Sequence, residues 1–275
     1  MKIREILAIA EERLRNGGVE SPELEARWIV EFVFGKAFIG LFNEVDYDDS
    51  KTEQVDRYID RRLDGEPLQL VLGEWDFFGR AFAFERGVFI PRPETEGLVE
   101  LALRYLADYP AVGFEFGIGS GAISVSLLCE RPQLRMVAID VNPLALELSR
   151  KNASKHGVED RLELLPASEF EAGEERFDFV IGNPPYILSS EMAELPREVR
   201  YDPPEALDGG EDGLREIRKI IDISKNGLKS GGFILIEIHE KKAVETSGLF
   251  TKGFSKTKIF RDLAGKDRYL LAFKE

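Results

Sequence analysis

The chain has 275 residues, of which 43% are hydrophobic and 32% are charged. This length supports one large hydrophobic core together with a smaller domain, and the mixed composition excludes a disordered or fibrous protein. The formal net charge of −14 opposes a phosphate backbone, so direct binding of nucleic acid is not expected.

The first part of the chain carries apolar residues at helical spacing. This spacing begins at Ile3 and stops at Gly17-Gly18. Ser21-Pro22 is typical of an N-cap followed by proline at the first helical position. Residues 1–74 are therefore predicted to form a small helical domain. The other predicted helices run from Pro22 to about Phe34, near 51–64 and over 67–72.

The segment that starts at Trp75 changes in character. Aromatic residues alternate with polar or small residues in WDFFGRAFAFERGVFIP, around Gly79 and Gly87. This alternation predicts a β-hairpin linker over residues 75–92, in which the phenylalanines serve packing.

Residues 93–275 are predicted to form an α/β domain with a Rossmann-like sheet. A helix from Thr95 to about Ala107 precedes strands and helices that alternate, which is typical of a mostly parallel sheet with helical crossovers. The last two strands are separated by too few residues around Gly265 for a crossover helix, so they should pair antiparallel. The seven predicted strands lie at about 112–116, 135–139, 161–165, 177–182, 232–238, 256–260 and 268–273.

A glycine-rich turn follows the first strand of this domain and leads directly into a helix. Its sequence is Glu115-Phe116-Gly117-Ile118-Gly119-Ser120-Gly121. Such a turn brings backbone close to a ligand. The next strand ends at Asp140, whose carboxylate could accept two hydrogen bonds from a ribose diol. This pairing leaves two candidate ligands, a dinucleotide and S-adenosylmethionine.

Two details favour S-adenosylmethionine. The glycines follow a GxGxG pattern instead of GxGxxG, and Glu115 lies two positions before the first of them. A carboxylate there would attract the methionine ammonium group and would repel a pyrophosphate. The adenine contact is expected just after the strand at 161–165, where Ser168 is preferred over Glu169 and Phe170.

Asn183-Pro184-Pro185-Tyr186 follows the apolar strand FDFVIG. Each proline fixes its own φ and restricts the residue before it, so the Asn183 side chain and the Pro184 carbonyl are held in one arrangement. These two acceptors can take both hydrogens of a planar amino group, and orientation of this kind can lower a barrier by about 7–11 kcal/mol. We predict that Asn183, Pro184 and Tyr186 are catalytic, that Tyr186 excludes water, and that Pro185 also contacts the substrate.

Other functions remain compatible with this motif. It would hold the amino group of adenine N6 or guanine N2 as well as an amide, although an enzyme acting on nucleic acid should carry a basic track and a target-recognition segment, neither of which is evident. A non-catalytic binding module with the same fold should have a damaged site, whereas the cofactor and amide positions here are chemically competent.

The combined motifs closely resemble the bacterial release-factor glutamine-N5 methyltransferases, the HemK or PrmC family, along nearly the whole chain. The resemblance rests on GVFIPRPETEGLVELAL (87–103), EFGIGSG, NPPY and YDPPEALDGGEDGL (201–214). It implies a class I methyltransferase that uses S-adenosylmethionine, releases S-adenosylhomocysteine and methylates the glutamine in the Gly-Gly-Gln loop of class 1 peptide-chain release factors. A related enzyme acting on a ribosomal-protein glutamine remains an alternative.

The resemblance also implies that the helical domain of residues 1–74 recognises the substrate by helping to hold the release factor, and it implies roles for individual residues. Gly117 to Gly121 and Asp140 would bind the cofactor, with Asn183 lying against it, and Asn183 to Tyr186 would bind the glutamine. Ile90 to Glu96 would close over the site, with Arg92 and Glu94 contacting the substrate. Without the family, Arg92, Glu94 and Glu96 equally suit a solvated ion-pair cluster, while Glu205 and Gly209-Gly210 suit a loop-shaping role.

Three positions depart from the family pattern. Ile118 replaces the usual threonine, which the turn should tolerate because its glycines and backbone make the contacts. The family's acidic residue near the adenine is not obvious in PASEF. His239 follows IEI where glycine is usual, and it is interpreted as a surface substitution.

The remaining composition indicates a metal-free protein of the reducing cytoplasm. Cys129 is the single cysteine, and with His156 and His239 as the two histidines there is no cluster at zinc spacing. The N-terminus alternates charged with apolar residues, and no run of about 18 apolar residues occurs, so neither export nor membrane insertion is expected. The predicted oligomeric state is a monomer.

Overall fold

The computed structural model describes residues 2–35, 49–106, 110–251, 253–255 and 257–275. The chain divides into two compact units, Met1–Trp75 and Asp76–Glu275. Helices and strands are numbered below in chain order over these described ranges. The predicted helix end at Ala107 and strand start at Lys256 lie outside them.

The first unit is helical, which confirms the predicted character of the N-terminal region. Its apolar residues at helical spacing turn inward and form one buried cluster that includes Leu14, Ile29 and Ile59. The helices are α1 (Ile3–Asn16), α2 (Pro22–Phe34), α3 (Asp49–Leu63) and α4 (Leu68–Leu72).

Helix α2 begins at the predicted residue but without the predicted cap. Ser21 precedes Pro22, yet its side chain makes no capping hydrogen bond. Glu23 and Glu25 lie in the first helical turn, where negative charge complements the positive end of the helix dipole. The capping role expected for Ser21 is therefore wrong, although proline occupies the first turn as expected.

The predicted hairpin is present, although its strands occupy residues 74–83 and not the whole predicted segment 75–92. Strands β1 (Glu74–Phe77) and β2 (Arg80–Ala83) form a two-stranded sheet. The two residues between them, Phe78 and Gly79, have φ values of 50° and 71°, as a tight two-residue hairpin turn requires.

The second unit contains a seven-stranded sheet in the order β5-β4-β3-β6-β7-β9-β8. Neighbours from β5 to β7 are parallel, and β9 pairs antiparallel with both β7 and β8. The predicted Rossmann-like fold with an antiparallel last pair is thus confirmed. The strands are β3 (Ala111–Phe116), β4 (Leu134–Asp140), β5 (Leu162–Pro166), β6 (Phe177–Gly182), β7 (Leu228–Glu237), β8 (Lys258–Arg261) and β9 (Asp267–Phe273).

Helices pack against this sheet. Apolar residues of α8 and α9 join Phe114, Val180 and Ile234 in one buried cluster. The α-helices are α5 (Thr95–Tyr105), α6 (Ala122–Glu130), α7 (Pro143–Lys155), α8 (Arg215–Gly227) and α9 (Ala243–Leu249). Short 3-10 turns occupy Glu159–Arg161, Ala167–Glu169, Ser189–Glu194, Val199–Tyr201 and Pro204–Ala206.

The strand order reverses between β3 and β6, the place where open α/β sheets bind ligands. Gly182 ends β6 beside Phe116, the last residue of β3. A Cβ on Gly182 would lie 2.8 Å from the Phe116 carbonyl oxygen, so the two strand ends approach this closely because glycine is present. The segment after Gly182 is thereby held next to the glycine-rich turn after β3.

Candidate active site

Two cavities lie at the carboxyl ends of the central strands. Cavity A has a volume of about 330 Å³ and cavity B about 220 Å³. Four residues line both cavities: Phe89, Asn183, Pro185 and Ala206. Cavity A is otherwise lined by Val88, Phe116, Gly117, Gly119, Ile139, Asp140, Val141, Asn142, Ala145, Ala167, Pro203, Glu205, Arg215, Glu216 and Lys219. Cavity B is otherwise lined by Arg92, Pro184, Tyr186, Ile187, Leu195, Val199 and Leu207.

The glycine-rich turn presents backbone to cavity A. Gly117 and Gly119 line it with φ values of 76° and 54°, and a Cβ at either position would meet no atom within 4 Å. The open space belongs to the cavity, so this wall can approach a ligand closely. Gly121 has a different role, because a Cβ there would lie 3.1 Å from Cβ of Ser149 on α7.

Asp140 also lines cavity A and is held by two backbone amides. Its Oδ2 accepts from Gly119 N at 3.0 Å and its Oδ1 accepts from Asn142 N at 2.9 Å. Burial raises the pKa of this carboxyl, and these hydrogen bonds oppose the shift. Each carboxylate oxygen can accept a further hydrogen bond, so the pair suits a vicinal diol.

Glu115 does not line either cavity, in contrast to its predicted contact with the cofactor. The side chain is 1% exposed, and its Oε2 accepts from both the backbone amide and the hydroxyl of Ser124 at the start of α6. Burial raises the pKa of Glu115 to about 8. The carboxyl therefore braces the glycine-rich turn against α6 from behind.

Asn183 stands between the two cavities. It follows β6 directly, and the strand ends at this point because two prolines come next. Its Nδ2 donates to the Thr95 hydroxyl at 3.3 Å. Asn183 and Pro185 line both cavities, whereas Pro184 and Tyr186 line cavity B alone. The motif therefore forms part of the wall of each cavity.

A buried hydrogen-bonded group supports this wall. The Thr95 hydroxyl donates to Glu237 Oε2 at 2.9 Å, and the Tyr186 hydroxyl lies 3.5 Å from Glu237 Oε1. Thr95 and Glu237 are each 1% exposed. Burial raises the pKa of Glu237 to about 7, and burial also raises the pKa of Tyr186.

An ion pair joins two loops that border the cavities. Arg92 donates to Asp202 Oδ2 at 2.6 Å, and Ile90 N donates to Asp202 Oδ1 at 3.1 Å. The Asp202 side chain is 1% exposed, so this is not the solvated ion pair that the sequence left open. Burial raises the pKa of Asp202 to about 6, and Arg92 opposes that shift.

Comparison with characterised sequences gives the family. A release factor glutamine methyltransferase from Aquifex aeolicus is 42% identical over 213 residues, which cover 77% of this chain and 76% of that protein. The protein of the same name from Geobacter sulfurreducens is 36% identical over 97% of this chain and 94% of its own length. The chain belongs to the release factor glutamine methyltransferase family. It is therefore an enzyme that transfers methyl groups.

Domain and fold comparisons agree with membership in this methyltransferase family. Residues 5–73 match the PrmC N-terminal domain and residues 99–196 match the methyltransferase small domain. Among solved structures, a methyltransferase from Pyrococcus furiosus aligns with a TM-score of 0.53 at 16% identity, covering 83% of this chain and 99% of that one. This likeness concerns the fold.

Several residues predicted to bind ligands lie outside the two cavities of this methyltransferase. Ile118 and Ser120 are each 3% exposed and line neither cavity. Ser168 is exposed, whereas the preceding Ala167 lines cavity A because it begins the 3-10 turn after β5. Glu94 is exposed and lines neither cavity, although its carbonyl oxygen accepts from Tyr269.

Glu96, Glu205 and Gly209, which the sequence placed near the site, have different roles in the structure. Glu96 Oε1 accepts from Phe78 N at 2.9 Å, which ties the start of α5 to the hairpin. Glu205 lines cavity A, so its position goes beyond shaping a loop. A Cβ on Gly209 would lie 2.8 Å from Tyr186 Cα, so glycine lets this loop pack against the wall of cavity B.

His239 is not the surface substitution that the sequence suggested. Its ring is half-buried and meets the Tyr186 ring edge-on, with centroids 5.8 Å apart. Burial lowers the pKa of His239, which favours the neutral imidazole. The ring therefore packs behind Tyr186.

Thr95, Glu237 and Asp202 were missed by sequence reasoning. Each lies in a stretch used for the family resemblance or at the end of a strand, but their partners are 88 to 142 residues away in the chain. A polar residue inside an apolar strand end, as Glu237 is in FILIEI, is the signal that could have identified one of them.

Over the described ranges, no group of three or more His, Cys, Asp or Glu residues is arranged to hold a metal ion. No helix in the same ranges is both long enough and apolar enough to cross a membrane.

Proposed function

We propose that the enzyme transfers a methyl group from S-adenosylmethionine to the side-chain amide nitrogen of the glutamine in the Gly-Gly-Gln loop of class 1 peptide-chain release factors. The observation that carries this proposal is the position of Asn183, which lines both cavities. A methyl donor bound in cavity A and a methyl acceptor bound in cavity B would meet at this residue.

Cavity A fits S-adenosylmethionine. The open backbone at Gly117 and Gly119 leaves room for the ligand, and Asp140 offers carboxylate oxygens for the ribose hydroxyls. When bound, S-adenosylmethionine supplies an electrophilic methyl group on sulfur. Ala167 and Val141 provide apolar surface near Asp140 for the adenine. Glu115 would act through the turn that it braces.

Cavity B fits a narrow, planar side chain. Two acceptors fixed by the proline pair, Asn183 Oδ1 and the Pro184 carbonyl oxygen, would take the two hydrogens of the substrate amide. An amide nitrogen is a weak nucleophile because its lone pair is delocalised into the carbonyl group. Orientation at Asn183 therefore has to supply much of the rate enhancement. Tyr186 and Phe89 add aromatic walls that exclude water.

The transfer balances without a metal ion. The bond between sulfur and the methyl carbon breaks as the bond between nitrogen and that carbon forms, so S-adenosylhomocysteine is released, and the methylated nitrogen gives up one proton to solvent. Asn183 holds the nitrogen through neutral hydrogen bonds and takes up no proton itself. Since its Nδ2 donates to Thr95, its Oδ1 is the atom available to the substrate.

The identity of the protein substrate is supported by the relatives. The proteins from Aquifex aeolicus and Geobacter sulfurreducens carry release factor glutamine methylation in their names. We further propose that residues 1–74 help to hold the release factor, since residues 5–73 match the PrmC N-terminal domain.

The test is a transfer assay with a labelled methyl group. The enzyme is offered a release factor, the same factor with its loop glutamine replaced by alanine, a ribosomal protein and a DNA duplex. Label is expected on the unaltered release factor alone. Label on DNA, a higher kcat/KM with the ribosomal protein, or label that persists after the glutamine is replaced would each overturn the proposal.

A further inference from the structure

The buried pair of Thr95 and Glu237 lies next to the proposed reacting centre but lines neither cavity. We infer that Thr95 and Glu237 are positioning residues, which fix the Asn183 side chain so that Oδ1 faces the substrate amide. This inference rests on the proposed function for the identity of that substrate.

Geometry places Thr95 between the other two side chains. It begins α5, while Asn183 follows β6 and Glu237 ends β7. The Thr95 hydroxyl lies 3.3 Å from Asn183 Nδ2 and 2.9 Å from Glu237 Oε2. Three separate elements are therefore joined through one hydroxyl group.

The chemistry of a hydroxyl group gives this chain a direction. A threonine hydroxyl has one hydrogen to donate and two lone pairs to accept with. Glu237 Oε2 takes the hydrogen, so toward Asn183 the hydroxyl can only accept. The Asn183 side chain must then present its NH₂ group to Thr95 and its Oδ1 to the opposite side.

The ionised form of Glu237 maintains this direction. An ionised carboxylate only accepts hydrogen bonds, so both Thr95 and Tyr186 would donate to it. If the carboxyl is protonated on Oε1, Oε2 still accepts from Thr95. Glu94 and Arg268 are the other charged residues whose fields act on Glu237, and Arg268 favours the ionised form while Glu94 opposes it.

An amide that rotated by half a turn would reverse the hydrogen-bonding pattern at the substrate. Asn183 would then present two hydrogens to a substrate nitrogen that itself carries two hydrogens. Such a pair cannot hydrogen-bond, so an unfixed Asn183 would spend part of its time in a nonproductive orientation. A hydroxyl at position 95 removes that alternative.

The experiment compares the full-length variants Thr95→Val, Thr95→Ser and Thr246→Val. Valine keeps the shape of threonine and removes the hydroxyl, whereas serine keeps the hydroxyl. Thr246 is the matched control because it is equally buried, while its hydroxyl has no hydrogen-bond partner among the described residues. The kcat and KM for release factor are measured together with the Kd for S-adenosylhomocysteine.

The expected losses of kcat follow from the loss of a fixed orientation of the Asn183 side chain. Thr95→Val should lower kcat on the order of 100-fold while the Kd for S-adenosylhomocysteine changes by less than about threefold. Thr95→Ser should keep kcat within about threefold of the wild-type value because its hydroxyl can reach both partners. Thr246→Val should leave kcat unchanged. An unchanged kcat in Thr95→Val, or equal losses in the serine and valine variants, would overturn the inference.

A second measurement does not depend on the substrate. The side-chain NH₂ of Asn183 gives a pair of proton–nitrogen resonances, which are identified by their absence in Asn183→Asp. In wild-type protein the hydrogen donated to Thr95 should exchange slowly with solvent, and Thr95→Val should make its exchange faster. Unchanged exchange would overturn the inference. Failure of the wild-type enzyme to methylate any release factor would instead overturn the proposed function, and the resonances would still report on Thr95.

Discussion

Asn183 is the residue at which the two halves of the proposed reaction meet. Replacing it with alanine removes the oxygen that would accept from the substrate amide but leaves Asp140 and the glycine-rich turn intact. Asn183→Ala should therefore lower kcat on the order of 100-fold while most of the affinity for S-adenosylmethionine remains. Steady-state kinetics and calorimetry check the two effects separately. Parallel losses of turnover and affinity would mean that Asn183 chiefly serves cofactor binding or folding.

The buried carboxyl of Glu115 predicts that the stability of the folded protein depends on pH. Burial raises its pKa to about 8 in the folded protein, whereas a glutamate in an unfolded chain titrates near about 4.3. Between these values the folded state retains a proton that the unfolded state releases, so the stabilising contribution is full below about pH 4.3 and is lost as the pH rises through about 8.

Glu115→Gln should remove this dependence. The amide keeps the size of the side chain, its carbonyl can accept from Ser124, and it does not titrate. The free energy of unfolding of the variant minus that of the wild type should therefore increase from pH 5 to pH 8, as urea unfolding of the unliganded proteins would measure. Glu100→Gln is the control because the Glu100 side chain is 61% exposed. A difference that is flat or falls with pH would contradict the prediction.

At the scale of elements, strand β3 depends on Gly113, which lines neither cavity. A Cβ on Gly113 would lie 2.2 Å from Phe179 Cζ and 2.5 Å from Met136 Sδ, side chains of the two neighbouring strands. Gly113→Ala should lower the free energy of unfolding by about 1–3 kcal/mol because both neighbours are buried and must move. Chemical denaturation measures this loss.

Gly248 provides a matched control on helix α9. A Cβ there would meet no atom within 4 Å, and alanine is the better helix former. Gly248→Ala should therefore leave the free energy of unfolding unchanged or raise it slightly. If Gly113→Ala were as stable as Gly248→Ala, the close packing of β3 against β4 and β6 would be wrong.

The observed limits of the strands also show which parts of the fold could be predicted from the sequence. Strand β6 was predicted with its observed limits because FDFVIG is largely apolar and is followed by Asn183 and two prolines. Strand β7 was predicted to begin at 232, yet it begins at Leu228. Gly231-Gly232 resembles a turn in sequence, but in the sheet it forms an irregularity within the strand, where the register against β6 shifts.

The candidate site could be predicted from the sequence where its residues are contiguous in the chain. Hydrophobic periodicity predicts the strands, and open parallel sheets bind ligands at the carboxyl ends of their strands. The strand ends here carry the glycine-rich turn, Asp140 and the NPPY motif. The support behind them was not readable, because Thr95 meets Glu237 across 142 residues and Asp202 meets Arg92 across 110. Pairings of this kind follow from sheet order, which a single sequence does not contain. Glu115 shows the reverse case, in which a motif position predicts a contact that burial prevents.

At the scale of the whole molecule, the charge of the chain favours the proposed protein substrate over a nucleic acid. The chain has 51 acidic and 37 basic residues. Among the residues that the structure describes, three cationic side chains line the cavities and each is ion-paired: Arg92 with Asp202, Arg215 with Glu216, and Lys219 with Glu216. A phosphate backbone would have to displace these carboxylates while it approaches a surface of net negative charge.

This charge distribution predicts weak binding to nucleic acid. At physiological salt the Kd for a fluorescent DNA duplex or RNA hairpin should exceed about 100 µM, the weak limit of ordinary nonspecific binding. Fluorescence anisotropy measures it, and a labelled release factor titrated under the same conditions is the positive control. A micromolar Kd for nucleic acid that weakens steeply with added salt would reveal a basic surface beyond the cavities. The amino group held at Asn183 could then belong to a base, because the two acceptors at the motif do not distinguish an amide from a nucleobase.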